Sequence, residues 1–168
     1  MRSQANATAG SAAAFGRGSN ASGESSTALG SGAKAEGKYS FAGSVNATAS
    51  ANQSIAIGRE ATAHSNDSIS QGSSSNAYKE SDIAIGTSSV ANGTRKSQTS
   101  CGKTNPSLPG GATCEEGTAI AVGKNSNATG YSAISVGKDS SASFDHAIAI
   151  GDSANATHIH SVAIGSAA

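Results

Sequence analysis

Along this chain apolar residues recur in short large-small-large triplets, each closed by glycine. The closing glycines are Gly16, Gly30, Gly43, Gly58, Gly72, Gly86, Gly123, Gly137, Gly151 and Gly165. Successive gaps are 14, 13, 15, 14, 14, 37, 14, 14 and 14 residues. The 13 and 15 adjoin and cancel, and the 37 is one repeat plus a 23-residue insertion. Three residues before the glycine stand Ile55, Ile69, Ile83, Ile120, Ile134, Ile148 and Val162; one residue before it stand Ile57, Ile85, Val122, Val136, Ile150 and Ile164. Between these columns the side chain is tiny: Ala14, Ala28, Ala56, Ser70, Ala84, Ala121, Ser135, Ala149 and Ala163. Alternation with period two and β-branched large residues predict a strand. Pairs such as Ala61/Ala63 and Ser126/Ala128, three and five residues after the glycine, predict a second short strand in each unit.

Fourteen residues cannot form an independent hairpin domain, but they can form one coil of a β-solenoid. Ten coils stacked at strand spacing, ~4.8 Å, give a rod of roughly 48 Å. The expected roll core is the aliphatic face: Ile55, Ile57, Ile83, Ile85, Ile120, Val122, Ile148, Ile150, Val162 and Ile164. The small column, Ala14 through Ala163, is then expected on a smooth outer face where sheets of neighbouring copies pack closely. Gln71 takes an aliphatic position. Phe41-Ala42 inverts the order of large and small in the unit closing at Gly43, so the roll is expected to be irregular there.

Composition sharpens the case for assembly. Of 168 residues, 33 are Ala, 32 Ser and 21 Gly, whereas Ile, Val, Leu and Phe number 11, 5, 2 and 3. So little large apolar volume excludes an ordinary globular enzyme core, and no window approaches the ~20 apolar residues of a transmembrane helix. A roll this poor in core is expected to be unstable as a monomer. Eleven basic residues balance eleven acidic ones, which argues against nucleic acid or an anionic membrane as the main partner.

The units Ser54-Ile-Ala-Ile-Gly58, Asp82-Ile-Ala-Ile-Gly86, Ala147-Ile-Ala-Ile-Gly151 and Ser161-Val-Ala-Ile-Gly165 resemble the S-[VI]-A-[IV]-G repeat of trimeric autotransporter adhesins, in particular the YadA-like head. The trailing small-x-Ala, as in Ala61-Thr-Ala63, belongs to the same motif. The resemblance covers nearly the whole chain outside the insertion. It implies an all-β, left-handed parallel β-roll of about ten coils, assembled as a homotrimer on the bacterial cell surface. It also implies a head fragment of a longer protein, tethered to the outer membrane only through a C-terminal anchor absent from this sequence.

Residues 92–117 break the period and divide the head into coils 1–91 and 118–168. Pro106 and Pro109 cannot sit inside a coil ladder, so this stretch is an excursion from the roll. In an exported protein, the pair Cys101 and Cys114 reads as a disulfide, one that restricts the unfolded chain by about 3 kcal/mol in the loop-entropy picture. A loop on a rigid scaffold is a natural place for recognition. Arg95, Lys96 and Lys103 are its candidate ligand-binding residues, against the plainer reading of a surface decoration or a lid on a trimer seam.

Other chemistry is thin. Gly151-Asp-Ser-Ala and Ser31-Gly-Ala-Lys34 imitate serine-enzyme blocks but fall on repeat turns with no converging base, so no catalytic residue is expected. No cofactor or metal is expected either. His146 and His160 nevertheless share a column and should stack about 5 Å apart on adjacent coils, with His158 and Asp145 nearby. Eight N-x-[ST] sequons, beginning at Asn6, Asn20, Asn46, Asn52, Asn66, Asn92, Asn127 and Asn155, are mostly by-products of the repeat. For Gln71 two readings stand: tolerated drift in one coil, or three copies around an ion or water. The sequence therefore points to a non-enzymatic adhesin head that attaches to host matrix proteins, cell-surface receptors or glycans by trimeric display. The alternative is a spacer whose ligand site lies elsewhere. Ice binding and acyl transfer fit poorly, for want of flat Thr-x-Thr arrays and of a hexapeptide period.

Overall fold

A computed structural model describes residues 4–94 and 117–168. Every regular element among them is a strand. Three-residue strands such as Thr27–Leu29, Ile55–Ile57 and Ile148–Ile150 alternate along the chain with shorter ones such as Asn20–Ala21, Thr62–Ala63 and Asn155–Ala156. The first kind forms one ten-stranded parallel sheet and the second kind another, each strand paired to its counterparts in the coils before and after. The chain is a parallel β-solenoid of about ten coils. Ladder bonds such as Ile55 N–H to Ser68 O, 2.9 Å, and Thr62 N–H to Ser75 O, 2.9 Å, tie each coil to the next.

The interior is not the one the alternation suggested. Ala28, Ala56, Ala84, Ala121 and Ala149 are fully buried, and Ala14 and Ala163 pack against the same interior from the outermost coils. Opposite them lie the buried alanines of the short strands, among them Ala21, Ala63, Ala128 and Ala156. The core is therefore alanine facing alanine, and the expected small-residue outer face is corrected to the roll core. The ten large residues assigned to the core are corrected to the outside. Ile55, Ile83, Ile85, Ile120, Val122 and Ile148 are partly exposed, and Ile57, Ile150, Val162 and Ile164 are exposed outright. The reason is thickness. Coils of 14 residues with tight turns at both corners bring the two sheets too close for large aliphatic side chains, whereas ordinary sheets stacked ~10 Å apart accommodate leucines. Among the described residues no aliphatic side chain larger than alanine is fully buried; the largest fully buried ones are Asp82 and a set of serines.

Most serines of this interior have a local acceptor. The hydroxyls of Ser19, Ser75, Ser89, Ser126 and Ser140 donate to the carbonyls of Gly16, Gly72, Gly86, Gly123 and Gly137, at 2.9–3.1 Å. Ser70 and Ser135, which replace the core alanine, pair across the interior with Ser75 and Ser140, both at 2.7 Å. Ser54 and Ser68 donate at 2.6 Å to the carbonyls of Ala51 and Ser65. The buried hydroxyls of Ser26 and Ser40 have no partner.

The expected irregularity at Gly43 is also corrected. Gly43 pairs with Leu29 and Ile57, and Phe41 with Thr27 and Ile55, so the strand register runs through unbroken. Ser44 occupies the turn position that glycine fills in the flanking coils, with φ of 125°, against 134° at Gly30 and 131° at Gly58. The apparent gaps of 13 and 15 arise because a glycine happens to precede this serine. The Phe41 ring covers the place where Gly43 lacks a side chain; a Cβ there would lie 2.6 Å from its Cε1.

Two outcomes follow for stability. Ser44→Gly should raise the melting temperature, because a non-glycine residue in that backbone region carries ~1–3 kcal/mol of strain. Gly58→Ser should lower it, since a Cβ there collides with the Gly72 carbonyl. Ser40→Ala should be neutral or stabilising and Ser68→Ala destabilising by about 1 kcal/mol, because only the latter hydroxyl is satisfied. Thermal unfolding followed by circular dichroism reads both pairs.

Candidate functional site

The two sheets present different outer surfaces. On the short-strand sheet the outward positions are Asn20, Lys34, Thr48, Thr62, Asn76, Asn127, Ser141 and Asn155, with Val90 the one aliphatic among them. This face is content in water. On the three-residue sheet the outward positions are the isoleucines and valines of two adjacent columns, continued at one end by Leu29, Phe41 and Phe15. Ile57 is 39% exposed and Ile150 38%, while the alanine between the columns is at 0% in both coils. An aliphatic stripe running the length of a rod is far larger than the scattered apolar residues ordinary on monomer surfaces. It is the surface most in need of a partner, and it is the candidate site.

Gln71 interrupts this stripe. It lies in register with Ile57 on one side and Ile85 on the other, and is exposed on the same face.

The corners carry the polar chemistry. At the glycine corner Lys138 pairs with Asp139 and, at 3.6 Å, with Asp152 on the next coil. Asp139, also bonded by Asn125, is held below the usual carboxylate range by Lys138 first of all. At the opposite corner rings stack from coil to coil. His146 lies on His160 with centroids 5.0 Å apart and planes 9° from parallel, as their shared column predicts. Tyr131 meets His146 edge-on at 5.4 Å, Phe144 stacks on His158 at 6.3 Å, and His64 on Tyr78 at 4.6 Å. Parallel imidazoles set their in-plane nitrogens side by side rather than towards a common point. Asp145, next to His146 in the chain, is mostly buried and accepts the Tyr131 N–H at 3.4 Å. Among the described residues no three His, Cys, Asp or Glu side chains converge as metal ligands would.

The insertion leaves from this second corner. Strand pairing runs to Thr94, opposite Gly130, and Gly117 N–H donates to Gly93 O at 3.1 Å, so the two roots touch. Beneath them sits Asp82, in a column that elsewhere holds Ser26, Ser40, Ser54, Ser68, Ala133 and Ala147. Its carboxylate is fully buried and accepts N–H bonds from Lys79 at 2.9 Å, Gly93 at 3.3 Å and Ala119 at 2.7 Å. One side chain thus ties the outgoing root to the returning strand. Burial pushes the Asp82 carboxyl above its ordinary value, more than these three N–H donors pull it back. Sequence reading missed this role; the signal was an aspartate in a serine column one coil before the period broke. Arg95, Lys96, Lys103, Cys101 and Cys114 lie outside the described residues.

Asp82→Ser should lower stability by about 1–3 kcal/mol, through amides left without their acceptor. Because the folded-state carboxyl titrates above its unfolded value, the advantage of the native residue is fully present below the unfolded value. It shrinks as pH rises through the folded one. Denaturant melts of both proteins across that range check the sign.

Comparison with known proteins gives a consistent answer. A family model described as YadA head domain repeat (2 copies) matches residues 7–33, 21–42, 45–61, 63–89, 77–95, 117–140, 128–154 and 142–168. Its matches break off at the insertion roots and together take in most of the chain. No curated protein matches. Among solved structures, the collagen-binding domain of Yersinia adhesin YadA matches with a TM-score of 0.59 and 28% identity, over 77% of this chain and 60% of that one. The chain therefore spans 60% of the length of that domain. Its 14-residue units, its alanine interior and these matches agree: the chain belongs to the YadA head family.

Proposed function

We propose that this chain is a head segment of a bacterial surface adhesin, and that three copies pack with their aliphatic faces inward to display the polar faces and corners to host ligands. The observation that carries this reading is the outward aliphatic stripe of a solenoid whose own interior holds only small side chains. Such a chain lacks a large-residue core until copies meet, and the stripe supplies one. Each isoleucine so buried contributes a share of the ~1.5–3 kcal/mol of full side-chain burial. The solved YadA domain, a collagen-binding one, supports extracellular matrix as the ligand class. Three identical copies on one rod turn weak contacts into attachment, by about 10²–10⁴-fold over a single site. On this reading the protein is a non-enzymatic binding module. It sits outside the cell and is held to the outer membrane by parts of a longer chain.

Three measurements test this. Sedimentation equilibrium should give a trimer, and Ile57→Asp should shift it towards an unfolded monomer, since a charge at that contact has no partner. A folded native monomer at micromolar concentration would refute the assembly. The trimer should bind immobilised collagen, fibronectin or laminin, or members of a glycan array. Absence of binding here, with binding by a longer chain of the same protein, would make this segment the spacer. Deletion of 95–115 should leave the trimer folded, and lost attachment in that deletion would assign recognition to the insertion, with Arg95, Lys96 and Lys103 the first side chains to replace.

A further inference from the structure

From Ile55 to Ile164 the aliphatic face repeats almost unchanged from coil to coil, with isoleucine or valine in both outward columns. A surface that repeats at the strand spacing matches a copy of itself nearly as well when shifted by one coil. The hydrophobic effect is non-directional and does not tell these registers apart. Gln71 is the exception within this stretch. It stands between Ile57 and Ile85 in the more outward of the two columns, on the face that assembly covers.

We infer that Gln71 is the register pin of the assembly: its primary amide meets the same amide of the neighbouring copies, each donating an N–H to the next copy's carbonyl oxygen around the axis. This rests on the trimeric packing proposed above. A carboxamide suits the task because it carries both donor and acceptor, so three copies can close a ring without any other group. In a shifted copy the same amide faces isoleucine and is buried without a partner, which disfavours that arrangement by about tenfold or more per amide. A single polar residue in an apolar seam setting alignment at some cost in stability is established for coiled coils. Here it acts on a β-roll, where neighbouring coils offer the alternatives. Neither tolerated drift nor a bound ion is needed.

The experiment moves the pin by one coil. Gln71→Ile combined with Ile85→Gln should still form a trimer by itself, since the amide ring is merely relocated. Native chains unfolded and refolded together with a mass-tagged native copy should exchange into the binomial mixture by native mass spectrometry. Native chains refolded with Gln71→Ile chains should instead sort, with mixed trimers depleted about tenfold, because an amide then faces isoleucine in every register the copies can take. Native chains refolded with the relocated variant should mix only with a shift of one coil, which sets the two amides level and leaves the chain ends offset by one repeat, as cross-linking between chain ends reads. A binomial mixture of native and Gln71→Ile chains would overturn the pin, as would mixing of native and relocated chains without the offset, or failure of the relocated variant to assemble while Gln71→Ile assembles. A native chain that sediments as a monomer would overturn the trimer itself, which is a separate result.

Discussion

The structure depends on one constraint: the space between its two sheets is about a side chain of alanine wide on each side. Ala28, Ala56 and Ala149 fill it from one sheet and Ala21, Ala63 and Ala156 from the other. Serine is admitted too, in most coils with its hydroxyl on a turn carbonyl or another serine. The larger aliphatic side chains are forced outward. The aliphatic residues that would be the core of a thicker fold thus become a surface, and the polar face of the second sheet becomes the only side suited to water. Burial that an ordinary domain completes within one chain is here divided between folding and association.

A thin interior also explains why the turns are so uniform. Sheets this close leave no slack for a longer corner, and the glycine position, or Ser44 in its place, takes the same positive φ in each coil. The chain can leave the roll only where something replaces the lost regularity. Asp82 does so at the root of the insertion, by supplying acceptors to amides on both sides of the gap. A carboxylate in such surroundings is tolerated because it is bonded three times over, an arrangement that an apolar residue in that place could not supply.

Much of this was legible in the residues, and the part that was not has a physical reason. Period, strand positions, the solenoid class and the stacking of His146 on His160 all follow from spacing alone. Which side of the three-residue strand faces inward does not. Alternation separates Ile55 and Ile57 from Ala56 without saying which set is buried, and the usual preference for large residues inside gave the wrong answer. That preference assumes a core thick enough to receive them. The irregularity expected at Gly43 failed for a different reason: a glycine was taken as the mark of the turn, whereas backbone conformation marks it, and Ser44 adopts that conformation. Asp82 was visible as a departure from serine, but its purpose needed the three amides that surround it.

The 14-residue register, kept from coil to coil outside the insertion, has a consequence for inheritance. Since each coil meets the next through the same ladder and the same alanine contact, a recombination event that duplicates or removes whole units changes the rod's length and leaves its cross-section alone. Reach beyond the cell envelope is then a quantity that a gene can alter in equal steps, without having to discover a new fold at any of them.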